Sequence, residues 1–282
     1  MSRRSPAARW LTWCGQKGIL QALAATISVV YASLYFGATP SLLLCSGTFG
    51  TTVFCYGIDR YVDQDVNSAH SITRGFLLGS GACFAALSVA VFLAGRPWAG
   101  VLLLASPLSA LAYASPWLGR LLGRGSRVRR IKDVPLFKSV YLAAYFSLLV
   151  PMTAYYVGGI PTATILAMTL FLFERSLQAA VACDFKDIES DRASGVITLP
   201  VYLGFARAHT ALQILGAASF LLVLVAVQAG WMYPGVLWMG LQYIGLSVCL
   251  YKMSRTPADA GLYCAIVDAL FLMWIPLGLL AR

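Results

Sequence analysis

The sequence predicts an all-α, polytopic membrane protein: a bundle of nine transmembrane helices forming one domain over residues 1–282. Three observations predict it. Charged residues make up only 11% of the chain and hydrophobic residues 59%, where an ordinary soluble domain carries about 25% charged residues. Apolar runs of the roughly 17–25 residues needed to cross a hydrocarbon core recur along the whole length. The basic residues fall almost entirely in alternate loops, which supports both the number of crossings and their direction.

In chain order, residues 1–17 hold Arg3, Arg4, Arg9 and Lys17 with Trp10 and Trp13, a basic interfacial arm with aromatic anchors. The first apolar segment is too long for a cleaved signal peptide and lacks a small-residue cleavage site after a short core. Spans are expected at about 19–37, 41–58, 75–94, 98–115, 136–156, 160–182, 208–229, 232–251 and 261–281. Pro151 and Pro276 fall inside spans five and nine and should kink them, because proline removes a backbone hydrogen bond. With the N-terminus cytoplasmic, 19 of the 21 Lys and Arg residues lie on the cytoplasmic side, Arg175 counted among those flanking the loop after span six; Arg96 and Arg282 lie opposite. The net charge of +10 is therefore a topology signal, and nucleic acid is not an expected partner. The seven cysteines, Cys14, Cys45, Cys55, Cys83, Cys183, Cys249 and Cys264, are scattered and form no Cys-x-x-Cys pair. They are expected to be small packing residues, neither a zinc site nor a disulfide framework.

Chemistry concentrates in two acidic clusters after spans two and six. The second puts Asp184, Asp187, Glu189 and Asp191 within eight residues, interleaved with Lys186 and Arg192. On a helix, Asp184, Asp187 and Asp191 share one face with Cβ atoms roughly 5–6 Å apart, and carboxylates that close need a cation. Hard Mg²⁺ takes oxygen ligands, commonly one or two carboxylates plus substrate phosphates. In the first cluster Asp59, Asp63 and Asn67 repeat every four residues, one stripe of oxygen ligands, with Asp65 turned away. Asp59, Asp63, Asp187 and Asp191 are the catalytic candidates. The metal-ligand candidates are Asp59, Asp63, Asn67, Asp184, Asp187 and Asp191. Glu174 and Asp268 fall well inside spans. Intramembrane carboxylates face a bundle interior or a wet cavity, so each is either functional or held by hydrogen bonds.

Between spans four and five lie Arg120, Arg124, Arg127, Arg129, Arg130, Lys132 and Lys138. Loop topology and anionic headgroups account for the earlier ones. Arg130, Lys132 and Lys138, nearest span five, are the candidates for substrate phosphate, with Arg60, Lys186 and Arg192 from the acidic clusters. Tyr56, Tyr61, Tyr113, Trp117, Tyr141, Tyr145 and Tyr202 gather at the same end. They fit an interfacial belt, or ring faces that stabilise a carbocation; Tyr56, Tyr141 and Tyr145 are the candidates for the second role or for holding an acceptor.

Nine spans with Asp-rich clusters after the second and sixth resemble the UbiA superfamily of intramembrane prenyltransferases. The resemblance is sharpest at Asp184-x-x-Asp187-x-x-x-Asp191-Arg192-x-x-Gly195-x-x-Thr198-Leu-Pro200-Val, similar almost residue for residue to that family's second motif. Its first motif is usually Asn-x-x-x-Asp-x-x-x-Asp; here Asp59, Asp63 and Asn67 exchange the first and last ligand types and keep oxygen at all three. No Arg-Pro pair precedes span one. The resemblance implies a Mg²⁺-dependent enzyme with a polar cavity on the cytoplasmic side and a lateral opening to lipid. An isoprenyl diphosphate would lie with its head between the clusters, and a lipophilic or aromatic acceptor would capture the allylic cation. The cation could instead be trapped by the substrate's own double bond, as in UbiA-type terpene cyclases. A cation transporter is the alternative from another class; it ranks low because its carboxylates would sit near the midplane.

Overall fold

The computed structural model describes residues 6–62, 72–122, 129–255 and 259–276, and every regular element among them is helical. In chain order these are α1 (Pro6–Gln16), α2 (Ile19–Tyr35), α3 (Leu42–Val62), α4 (Arg74–Leu93), α5 (Pro97–Ala114), α6 (Trp117–Leu122), α7 (Phe137–Ser147), α8 (Leu149–Val157), α9 (Thr162–Asp184), α10 (Ile188–Ser194), α11 (Leu199–Leu203), α12 (Phe205–Gln228), α13 (Gly240–Arg255) and α14 (Ala260–Ala269). Seven helical stretches among the described residues are long and apolar enough to cross a bilayer. Two shorter apolar stretches, Ile19–Tyr35 and Ala260–Pro276, stand where the first and ninth spans are expected.

The bundle packs around α3, which meets α2, α4 and α5, and around α9, which meets α7, α8, α12 and α14. Its core holds large side chains from distant helices, with Tyr31, Tyr35, Leu172, Leu250 and Trp274 fully buried. The outer helices show the reverse. The most apolar window of α4 has a mean hydropathy of 2.2, yet only 17% of it is buried. An apolar face of that size is unstable in water and is at home in hydrocarbon.

Both proline breaks appear. Pro151 lacks the N–H that would bond the carbonyl of Ser147, and span five divides there into α7 and α8 around Leu148. Upstream of Pro276 the last span tightens into a 3₁₀ turn at Leu270–Met273. The N-terminal arm is itself helical over α1. Cys14 is buried against Leu20 and Ala265, while Trp10 and Trp13 point outward.

Two expectations fail. Cys183 and Cys264 are joined by a disulfide across 81 residues, a pairing that spacing in sequence cannot reveal. Arg175 does not flank the acidic loop. It lies inside α9, buried beside Glu174.

The α4–α5 corner depends on a missing side chain. A Cβ on Gly100 would sit 2.7 Å from Phe92 Cβ and 2.9 Å from the Phe92 backbone, and backbone cannot rotate away. Gly100→Ala should therefore part the two helices, at a cost of about 1–3 kcal/mol. A thermal-unfolding midpoint equal to wild type would show that the corner is slack.

Candidate active site

The site is assembled by the segment 129–138, which reaches both acidic clusters. Asp133 shapes its first half. Its carboxylate accepts the backbone N–H groups of Arg129 and Arg130 at 3.2 and 2.9 Å and holds the Arg130 guanidinium at 2.7 Å. That closes the 3₁₀ turn Ile131–Asp133 and delivers Lys132, 6% exposed, to Asp59 at 2.8 Å on the last turn of α3. The second half turns at Leu136, the one non-glycine residue with positive φ among those described, at 63°. This left-handed conformation is unfavourable for a leucine. It is held by the Leu136 N–H donating to the Ile197 carbonyl at 2.8 Å, which stitches the segment to the chain just past α10. Lys138 comes two residues later, and its Nζ meets Asp184 at 3.0 Å and Asp191 at 3.1 Å.

The second cluster departs from the single stripe expected. α9 ends at Asp184, residues Phe185–Asp187 form a 3₁₀ turn, and α10 starts at Ile188. The tighter winding of a 3₁₀ turn rotates α10 relative to α9. Asp184 and Asp191, both nearly buried, share Lys138, while Asp187 is half-exposed and pairs with Lys186 at 2.7 Å. Ser139 donates to Asp184 at 2.5 Å. Gly195 ends α10 in the left-handed region, φ 77°, letting the Val196 N–H reach back to the Asp191 carbonyl at 2.8 Å. That is the physical content of the glycine four residues after Asp191.

Aromatic rings lie between the clusters. Tyr113 and Tyr141 stack at 4.3 Å between centroids, and Lys132 Nζ sits 5.8 Å from the Tyr113 ring. Tyr141 donates to Ser109 at 2.9 Å, and Tyr145 approaches the Cys55 sulfur. Tyr56 packs against Gly18, whose absent Cβ and φ of 75° let the start of α2 abut the end of α3.

The structure thus brings together Asp59, Asp184, Asp191, Lys132 and Lys138, with Tyr113 and Tyr141 beside them. Arg130 is turned onto Asp133, and Arg192 is exposed on α10. Arg60 is half-buried at the end of α3. Asp63, Asp65 and Asn67 lie outside the described residues, as do Arg124 and Arg127. Sequence reasoning missed Ser139 and Asp133 as positioning residues. The signal for Ser139 is its place beside Lys138, at the start of a helix that packs on α9. The two intramembrane carboxylates are both bonded: Asp268 accepts from Gln21 at 2.5 Å, and Glu174 accepts from Arg175, Ser219 and Gln178.

Comparison with known proteins points the same way. A family model described as UbiA prenyltransferase family matches residues 21–275. No curated protein sequence matches the chain. Among solved structures, the chain is similar to a UbiA homolog from Aeropyrum pernix K1, with 15% identity, a TM-score of 0.61, and 92% of this chain and 98% of that one covered. It is also similar to a UbiA homolog from Archaeoglobus fulgidus bound to GPP and Mg²⁺, with 17% identity, a TM-score of 0.61, and coverage of 94% and 99%. A digeranylgeranylglyceryl phosphate synthase shares 13% identity at a TM-score of 0.56, over 97% of this chain and 96% of that one. At these identities the likeness speaks to the fold.

Proposed function

The chain belongs to the UbiA prenyltransferase family, and from that premise we propose that it moves an isoprenyl group from a prenyl diphosphate to a lipophilic or aromatic acceptor inside the membrane, releasing diphosphate. The observation that carries this reading is the convergence of Asp59, Asp184 and Asp191 on two lysines of one segment at one end of an apolar bundle. Nine crossings, one domain, an active site facing the cytoplasm and a lateral opening for the lipid tail complete the reading. With Arg175 moved into the interior of α9, 18 of the 21 basic residues remain on one side and support the orientation.

The donor set fits a hard divalent cation. Asp59, Asp184, Asp187 and Asp191 offer carboxylate oxygen, Asp63 would add another carboxylate, and Asn67 a neutral amide oxygen. The Archaeoglobus neighbour described with GPP and Mg²⁺ supports that choice of metal and of substrate class. When bound, Mg²⁺ supplies charge neutralisation and Lewis-acid assistance to the departing diphosphate.

The residues of this chain do the rest. Lys132 and Lys138 fix positive charge where the leaving diphosphate gains negative charge, and fixed cations count for most where water is scarce. The allylic C–O bond breaks, and the diphosphate keeps the electron pair. Tyr141, stacked on Tyr113 through one face, offers its other face to the allylic cation. The apolar bundle excludes water, so the acceptor forms the new bond to the allylic carbon and gives up its proton before hydrolysis intervenes.

The test is mass spectrometry of products formed from a panel of prenyl diphosphates in host membranes, with and without added acceptor fractions. A prenylated acceptor is expected, with diphosphate released in equal amount. A cyclic hydrocarbon made without any acceptor would assign the protein to the cyclases instead.

A further inference from the structure

We infer that the groove between α12, α13 and the 3₁₀ turn Pro234–Met239 is a second binding site, one that takes a neutral lipophile of the quinone type and holds its carbonyl oxygen with Arg175. The groove is a cavity of about 410 Å³, large enough for a small ring and part of a tail. Its rim is apolar and open to lipid: Phe220, Trp238, Leu241 and Ile244 are each more than 40% exposed. Its deep end is different, because Arg175, which also lines it, is only 6% exposed.

The bonding of Arg175 is incomplete. Its Nε donates to Glu174 at 2.6 Å, its Nη2 donates to Ser219 at 3.3 Å, and its face lies 5.0 Å from the Tyr243 ring. A guanidinium has five N–H groups, and the others have no acceptor among the described residues. Glu174 is fully engaged, by Arg175, Ser219 and Gln178. Hydrocarbon supplies no water to such donors, and an unmet donor there is costly.

The chemistry of the ligand is set by charge and depth. Glu174 already balances the charge of Arg175, so an acceptor without charge of its own fits better than an anion. Arg175 stands nine residues before Asp184 on α9, about 14 Å along the helix at 1.5 Å per residue. That is below the ester carbonyls of ordinary glycerolipids, which stay near the headgroups. The ligand must dissolve in the hydrocarbon core and bring its carbonyl with it. The wall is rigid, since Tyr243 lies across Gly216, where any Cβ would collide with its ring, and donates to the carbonyls of Leu212 and Gln213 at 3.1 and 2.9 Å. This site is separate from the carboxylate end: Asp184 faces Lys138 and Ser139 on α7, whereas Arg175 faces α12 and α13.

The test titrates the purified protein in detergent micelles with a decyl-substituted 1,4-benzoquinone and measures tryptophan fluorescence. Saturable quenching is expected in wild type, and its loss in Trp238→Phe. The apparent dissociation constant should rise at least about tenfold in the double variant Glu174→Gln/Arg175→Met, which removes both charges together. It should rise similarly in Ala217→Phe, which fills the groove from an exposed position and spares the ion pair. Decylbenzene, the same tail without a carbonyl, should not compete. Equal competition by decylbenzene would reduce the groove to a plain hydrocarbon surface. Unsaturable quenching, or titrations unchanged in both groove variants, would overturn the site, and so would a second copy of the chain found covering Trp238.

Discussion

Replacing Asp191 with alanine should lower prenyl-diphosphate turnover by at least about 10²–10³-fold, the scale on which one electrostatic contact to a transition state is worth, while the protein still inserts and purifies. Asp191 is nearly buried and shares Lys138 with Asp184. Without it, Lys138 keeps Asp184 as a partner, so the fold is spared an unpaired cation and the loss falls on catalysis. Asp187→Ala should lose activity by a similar factor with an even smaller effect on stability, because Asp187 is half-exposed and pairs only with its neighbour Lys186. Turnover is measured as diphosphate release in reconstituted vesicles. Wild-type rates in either variant would remove the second cluster from the mechanism.

Lys138→Ala should act on two quantities in different conditions. It removes a cation placed for the diphosphate, so the Michaelis constant for prenyl diphosphate should rise by about one to two orders of magnitude, in line with the loss of a charge-assisted hydrogen bond. It also leaves Asp184 and Asp191 together without their shared counter-charge. Breaking a fully buried pair costs about 3–5 kcal/mol. The Lys138 side chain is 22% exposed, so about 2 kcal/mol is a fairer figure, or about 4–8 °C in the unfolding midpoint. Mg²⁺ that binds the folded carboxylates should restore much of that loss, whereas the midpoint of wild type should respond less. A deficit of the same size in chelator and in Mg²⁺ would mean that Asp184 and Asp191 do not take the metal.

Most of the bundle is legible in the sequence because crossing a bilayer imposes a length and a composition, and both are local properties. They locate the long helices, and Pro151 locates the division of α7 from α8, since it removes a specific hydrogen bond. What escapes is whatever depends on partners far away in the chain. The spacing of Asp184, Asp187 and Asp191 is that of one helical stripe, yet the 3₁₀ turn at Phe185–Asp187 leaves Asp187 half-exposed on Lys186 and the other two on Lys138. Phe185 is buried there against Phe205 of α12, 4.5 Å between ring centroids, a tertiary contact invisible to spacing. Arg130 shows the same limit from the other side. Its charge and position in sequence fit a phosphate ligand, but Asp133, three residues on, takes its guanidinium. Arg175 looks like a flanking charge until the packing of α9 places it against Ser219 and Tyr243. The disulfide between Cys183 and Cys264 has no signature in the chain at all.

The active-site reading rests on two acidic clusters holding one metal–diphosphate group between them, and binding of a non-cleavable geranyl thiodiphosphate tests it most directly. Calorimetry on the purified protein should show binding with Mg²⁺ and none in chelator. With Mg²⁺ present, affinity should fall at least about tenfold both in Asp59→Ala and in Asp191→Ala, variants on different helices. Binding that ignores the metal, or that survives loss of either cluster, would contradict it.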